Sequence, residues 1–275
     1  MIDLSSNVFL CDDRPITAGD LCDKLGVHIE PDSDLYIETD LSRFGSLHPD
    51  IKSREQLASI IISVFNEIAG GDSTIIVPSF TFSWGFKSRG VYDLNSNTHL
   101  GLIPNWLLGH EGVIRTHDPM FSVLITGKRS RWYSEPCSDS FGKCSVFAKM
   151  HATNAKLIGF GLQKFDPTFI HYVEQYVNDN VSQIKYRYKK KFTGTIIENG
   201  NESAIKKHVT LVRDLDTDYK YNFDNLISDL LDQNKIIIEN VCRCKIFISD
   251  CNSVFDIAML GMQNDLNYFR GNGVY

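Results

Sequence analysis

The sequence predicts an α/β fold. Short apolar, β-rich runs alternate with helix-period stretches through the first two thirds, the last third turns strand-rich, and no Pro/Gly/Ser linker divides the parts. Strands are expected at Leu35–Glu38, Thr74–Phe80, Val123–Thr126 and Lys156–Gly161. Helices are expected at Ile16–Leu25, Arg54–Ile68, Gly101–Leu108, Ser145–His151 and Pro167–Val177. The second of these helices is the best defined. Leu57, Ile60, Ile61, Val64, Phe65 and Ile68 recur with a helical period, and Gly70-Gly71 ends the run. Beyond it, Gly194–Glu198, His208–Arg213, Lys235–Glu239 and Arg243–Ser249 read as strands, flanked by helices at Asn222–Gln233 and Ser253–Met262. This strand-rich third is expected to extend the same sheet, so that residues 1–275 form one domain.

Bulk properties narrow the function classes. A length of 275 residues suits one large compact domain, and the 43% hydrophobic and 23% charged composition is that of an ordinary globular chain. The formal charge of −6 lacks the basic excess of a nucleic-acid binder. No apolar run nears the roughly 20 residues a membrane span needs. The start, MIDLSSNVFLCDDRP, has no basic segment leading into a long apolar core, so a cytoplasmic location without membrane insertion is expected. Seven cysteines occur at irregular spacing with no CxxC pair. They are read as reduced thiols with small apolar roles, with no metal site, and Cys242 and Cys244 are expected on one side of a strand.

The most informative stretch is Gly159–Tyr176, where a strand runs through a short loop into a helix. Asp166 is expected as N-cap and Pro167 as first helical residue. Phe169, Ile170, Val173 and Val177 form an apolar stripe, while Thr168, His171 and Glu174, spaced by three, share another face. A neutral imidazole can take a proton from an attacking amine, and a helix N-terminus disfavours imidazolium. A neighbouring carboxylate would orient the ring. Four further clusters lie at strand ends or turns: Tyr36–Gly45, Pro78–Phe82, Arg115–Val123 and Ser140–Gly142. A serine or cysteine acyl-enzyme finds no GxSxG elbow here.

In their order along the chain these segments resemble the aminoglycoside 3-N-acetyltransferase (antibiotic N-acetyltransferase) family. The residues that carry the resemblance are Glu38-Thr39-Asp40-Leu41 with Phe44-Gly45, Val77–Thr81, Gly101–Leu108, Gly112–Thr116, Pro119 with Ser122, Phe141-Gly142 with Ser145, and Thr168–Glu174. The resemblance implies a single α/β/α sandwich with a mixed central sheet, acetyl-CoA or another acyl-CoA as co-substrate, and direct transfer without a covalent intermediate. It implies His171 as base, with Glu174 and Thr168 beside it. It assigns the co-substrate cleft to Thr39, Asp40, Leu41, Phe44, Gly45, Ser79, Phe80, Thr81, Ser122, Phe141 and Gly142.

Two departures from the resistance enzymes bear on the acceptor. Glu38 and Asp118 stand where those enzymes carry histidine, and His117 is one place early. The Arg115–Val123 segment resembles relatives associated with surface-polysaccharide (O-antigen, lipopolysaccharide) synthesis. An amino sugar, nucleotide-linked, is therefore expected as the small-molecule substrate, met by Glu38, Arg115, Asp118 and Arg187. The last belongs to the basic run Tyr186–Phe192, which suits a diphosphate. An aminoglycoside acceptor is the alternative, and an inactive member serving as a binding module the further one. A homodimer is compatible with this reading.

Overall fold

The computed structural model describes residues 3–85, 90–217 and 219–270. The chain opens with a hairpin of β1 (Asn7–Cys11) and β2 (Arg14–Thr17), after which α1 (Ala18–Gly26) starts at a capping box between Thr17 and Asp20. Next come β3 (Leu35–Thr39), β4 (Ser46–Leu47), α2 (Arg54–Ala69) and β5 (Thr74–Pro78). The middle holds β6 (Val91–Asp93), α3 (Leu102–Leu107), β7 (Ile114–Arg115), β8 (Val123–Gly127), α4 (Ser130–Tyr133), α5 (Val146–Ala152) and β9 (Lys156–Phe160). The chain continues with α6 (Ile170–Asn180), β10 (Arg187–Glu198), β11 (Asn201–Glu202), β12 (Lys206–Arg213) and α7 (Asp224–Asp232). It ends with β13 (Ile237–Val241), β14 (Cys244–Asp250) and α8 (Cys251–Asn264). Each helix and strand expected from the sequence has a counterpart; most ends move by a few residues, while β10 starts at Arg187 instead of Gly194.

The main sheet has seven strands in the order β13-β14-β9-β3-β5-β8-β7. It is mixed: β9, β3 and β5 run parallel, and the remaining neighbours pair antiparallel. Alternate side chains of its strands enter two different cores. Leu35, Ile37, Ile75, Val77, Ile158, Phe160, Ile246 and Ile248 pack under α1, α2 and α3. Tyr36, Ile76, Leu157 and Phe247 pack under α5, α6, α7 and α8. Strands covered on both faces read as unbroken apolar runs, which is why the sequence marked them clearly. The result is an α/β/α sandwich.

The strand-rich last third only partly extends this sheet. β13 and β14 do so through β9, but β10, β11 and β12 form a separate four-stranded sheet with β6. The pattern of alternation cannot tell which strands will pair. The cysteine reading also needs correction. Cys11 is joined to Cys242 and Cys137 to Cys144, leaving Cys22, Cys244 and Cys251 free. Cys242 lies not on a strand with Cys244 but in the two-residue turn between Val241 and Cys244, at φ 54°. No helix among the described residues is long and apolar enough to cross a membrane.

The carboxyl ends of β3, β5 and β9 lie together, and β8 begins beside them. Gly161 closes β9 at φ +81°. A β-carbon there would come within 2.5 Å of the Asp40 carbonyl oxygen and 2.6 Å of the Phe44 ring. Gly161→Ala is therefore expected to destabilise the fold by about 1 kcal/mol or more, through the left-handed backbone and the clash. A melting temperature equal to that of the unmodified chain would show that the Asp40–Phe44 turn can give way.

Candidate active site

α6 follows β9 and supplies the central pair. Phe169, Ile170, Val173 and Val177 are fully buried, as their spacing predicts, and turn the opposite face of the helix toward β10. On that face His171 Nδ1 lies 2.8 Å from Glu174 Oε2. The Glu174 side chain is fully buried, whereas 18% of the His171 side chain is exposed, so the ring is not sealed in the interior. Phe141, Phe121 and Tyr221 stand edge-on or tilted around the imidazole, at centroid distances of 5.6, 6.3 and 5.8 Å.

Glu174 has two further partners. Tyr221 Oη donates to its Oε1 at 2.6 Å, and Arg187 Nε lies 3.1 Å from its Oε2. Burial alone would push this carboxyl up. The hydrogen bond from His171 and the Arg187 charge outweigh burial and hold it below the usual range. His171 is held below the ordinary histidine value, first by burial and then by the Arg187 charge, against the pull of Glu174. His171 is thus neutral at neutral pH, beside an ionised carboxylate.

Thr168 does not join this pair. Its hydroxyl donates to Glu38 Oε1 at 2.8 Å, and its backbone N–H meets the same oxygen at 3.3 Å. The helix entrance also differs from expectation. Asp166 is exposed and does not cap, and residues 167–172 instead enter through successive i to i+3 bonds. Glu38, from the end of β3, takes the capping role across the chain. Burial pushes the Glu38 carboxyl up to about 7, against the hydrogen bonds from Thr168.

Several expected site residues are engaged within the fold. Arg115 is buried and donates to the carbonyls of Ser79, Leu94 and Ser96, so it braces loops rather than a substrate. Asp118 caps the backbone N–H groups of Met120 and Phe121, each at 2.8 Å, and faces His208. Ser79 and Ser122 are fully buried and bonded to each other. Phe44 and Phe141 are core aromatics, and Phe80 is nearly so. Of the proposed co-substrate set, Thr39, Asp40, Leu41, Gly45, Thr81 and Gly142 keep accessible surface around the strand ends. Arg187 stands against His171 and Glu174 instead of facing solvent as part of a diphosphate site.

Tyr221 and His208 were not anticipated. Tyr221 sits in an irregular segment whose sequence carries no motif. Ser140 Oγ and Asp118 Oδ1 both face Nε2 of His208, at 2.9 and 3.2 Å. A nucleophilic serine needs its histidine to accept on one nitrogen and donate to the carboxylate from the other. Sharing one nitrogen excludes that arrangement, so this trio is a structural brace. Among the described residues no group of three His, Cys, Asp or Glu side chains converges as a metal site.

The raised Glu38 gives a signed pH effect. Below 4.5 the carboxyl is protonated in both folded and unfolded chains. Between 4.5 and about 7 the folded chain holds a proton that the unfolded chain has lost. Its contribution to stability is thus complete at acid pH and is lost as pH rises through about 7. Glu38→Gln is expected to flatten the fall in melting temperature across that window, and identical profiles would rule out the raised carboxyl.

The model of the aminoglycoside 3-N-acetyltransferase family matches residues 46–263. Solved structures share the fold. AAC-IIIb in a binary complex with CoASH is 14% identical at a TM-score of 0.71, over 94% of this chain and 99% of that one. AAC-VIa bound to sisomicin is 15% identical at 0.71, over 91% and 98%. The YokD protein of Bacillus subtilis is 15% identical at 0.72, over 98% of each. No curated protein matches in sequence.

Proposed function

The chain belongs to the aminoglycoside 3-N-acetyltransferase family, and on that premise we propose that it moves an acetyl group from acetyl-CoA to an amine of an aminated glycoside, with His171 as general base. The observation that carries this reading is the His171–Glu174 contact of 2.8 Å, made by a ring that is neutral and partly accessible.

The amine nitrogen attacks the thioester carbonyl as its proton passes to His171 Nε2. The new C–N bond forms a tetrahedral intermediate, which collapses by breaking the C–S bond. The thiolate takes the proton from His171, leaving an amide and free coenzyme A. Glu174 holds the ring and offsets its charge while the proton is there. Thr39, Asp40, Leu41, Gly45, Thr81 and Gly142 would border acetyl-CoA at the strand ends, and the buried Phe44, Ser79, Phe80, Ser122 and Phe141 would shape that border from beneath.

An aminoglycoside is the first acceptor to test. The family matched and the sisomicin-bound relative support it ahead of the surface-polysaccharide amino sugar that the sequence favoured. One observation keeps the nucleotide-linked amino sugar as a second reading. A cavity of about 240 Å³ is lined by Trp84, His117, Lys206 and Lys207, and its two lysines suit an anionic substituent.

Purified protein with acetyl-CoA and a kanamycin-type amine should release free thiol, and His171→Ala should lower turnover ~10²–10⁴-fold. Near-normal turnover of that variant would remove His171 from the mechanism. Thiol release with a nucleotide-linked amino sugar alone would reverse the order of acceptors.

A further inference from the structure

We propose that Arg187 is a positioning residue that dictates which nitrogen of His171 carries the proton, and so keeps the Nε2 lone pair bare for the incoming amine. This rests on the reading of His171 as base.

The argument is one of donors and acceptors. Arg187 Nη2 lies 3.3 Å from His171 Nε2, while Glu174 Oε2 lies 2.8 Å from Nδ1. A guanidinium has only donors, so Nε2 must accept. An ionised carboxylate has only acceptors, so Nδ1 must donate. The two partners together admit a single form of the ring, the neutral tautomer protonated at Nδ1. An imidazolium would set an Nε2–H against an Arg187 N–H, donor facing donor and charge facing like charge.

The guanidinium is anchored independently of the imidazole. Its Nε meets Glu174 at 3.1 Å and also donates to Tyr221 Oη, and its Nη1 donates to the Leu211 carbonyl at 3.2 Å. The Arg187 side chain is only 9% exposed and lies against the Tyr221 ring, 5.2 Å from its centroid. The Nη2–Nε2 contact is the longest of the set. A substrate amine can therefore replace it while the guanidinium stays in place. Once the proton reaches Nε2, the fixed positive charge beside it favours passing the proton on to the departing thiolate.

The groups around the ring are few. Glu174 faces it from its own helix, Arg187 from β10, Tyr221 from the segment before α7, and Phe121 and Phe141 from two loops. Behind Thr168 stands Glu38, which titrates at about 7 and would overlay its own limb on a kinetic pH profile. Spectroscopy on the ring itself separates the two.

The test is ¹⁵N NMR of histidine-labelled full-length protein across pH, alongside the pH dependence of kcat/KM, with Glu38→Gln as a background that removes the second titration. The unmodified chain is expected to show His171 protonated at Nδ1 only, remaining neutral below the ordinary histidine range. Arg187→Met should mix the tautomers and shift the His171 titration upward, and the acid limb of kcat/KM should move the same way. Arg187→Lys keeps the charge but not the fork. It should hold the low titration midpoint while loosening the tautomer. An Nε2-protonated ring in the unmodified chain would overturn the proposal without any variant. So would an unmoved titration and tautomer in folded Arg187→Met, even with activity lost. If His171→Ala keeps its turnover, the base assignment fails, and the tautomer measurement still decides what Arg187 does to the ring.

Discussion

Glu174 has no exposed side-chain surface, and a carboxylate in such a position is tolerated only when its oxygens are met by donors. Here they are met by His171 from the same helix, Arg187 from β10 and Tyr221 from the segment before α7. The second sheet and the segment before α7 are thereby tied to α6 through one charge. The same demand that stabilises the carboxylate fixes the orientation of the imidazole and brings a cation against it. Local stability and the proposed chemistry therefore draw on one set of contacts.

The surroundings of this centre are built by the sheet. Parallel β3, β5 and β9 deliver Glu38, Ser79 and Gly161 to one end, and antiparallel β8 starts there with Ser122 next to Val123. Much of what lies at that end is internal carpentry. Arg115 gathers three carbonyls, the Ser79–Ser122 pair joins two strands, and the Asp118–His208–Ser140 brace links a turn to β12 and to the loop before α5. The polar motifs of the sequence divide between those left accessible at the strand ends and those that hold these segments together.

The charge pattern bears on the acceptor. Glu38 takes the place of a histidine in the resistance enzymes that the sequence resembles, and it is engaged in capping the helix entrance rather than facing outward as a free carboxylate. The lysines of β12 line the neighbouring cavity. These features set the surroundings of the proposed site apart from a purely acidic groove, whereas the His171–Glu174 pair is indifferent to that distinction.

By itself the sequence determined the order of helices and strands, because strands buried on both faces leave short unbroken apolar runs and a helix with an apolar stripe leaves a period of 3.6 in one dimension. It also determined the His171–Glu174 pair, since residues three apart on a helix are neighbours in any fold. The resemblance extended this to the family and to the layered sandwich. Only the tertiary structure decided what meets those residues from elsewhere in the chain. Thr168 shares the helix face with His171, yet Glu38, 130 residues away, claims its hydroxyl. Arg187 looks in sequence like one member of a basic run, and Tyr221 belongs to no motif, yet the pairing of β10 with β12 and the course of the chain into α7 bring both to Glu174. Sequence periodicity carries no information about such long-range pairings, because burial demands that a charge be met and leaves open which distant segment meets it.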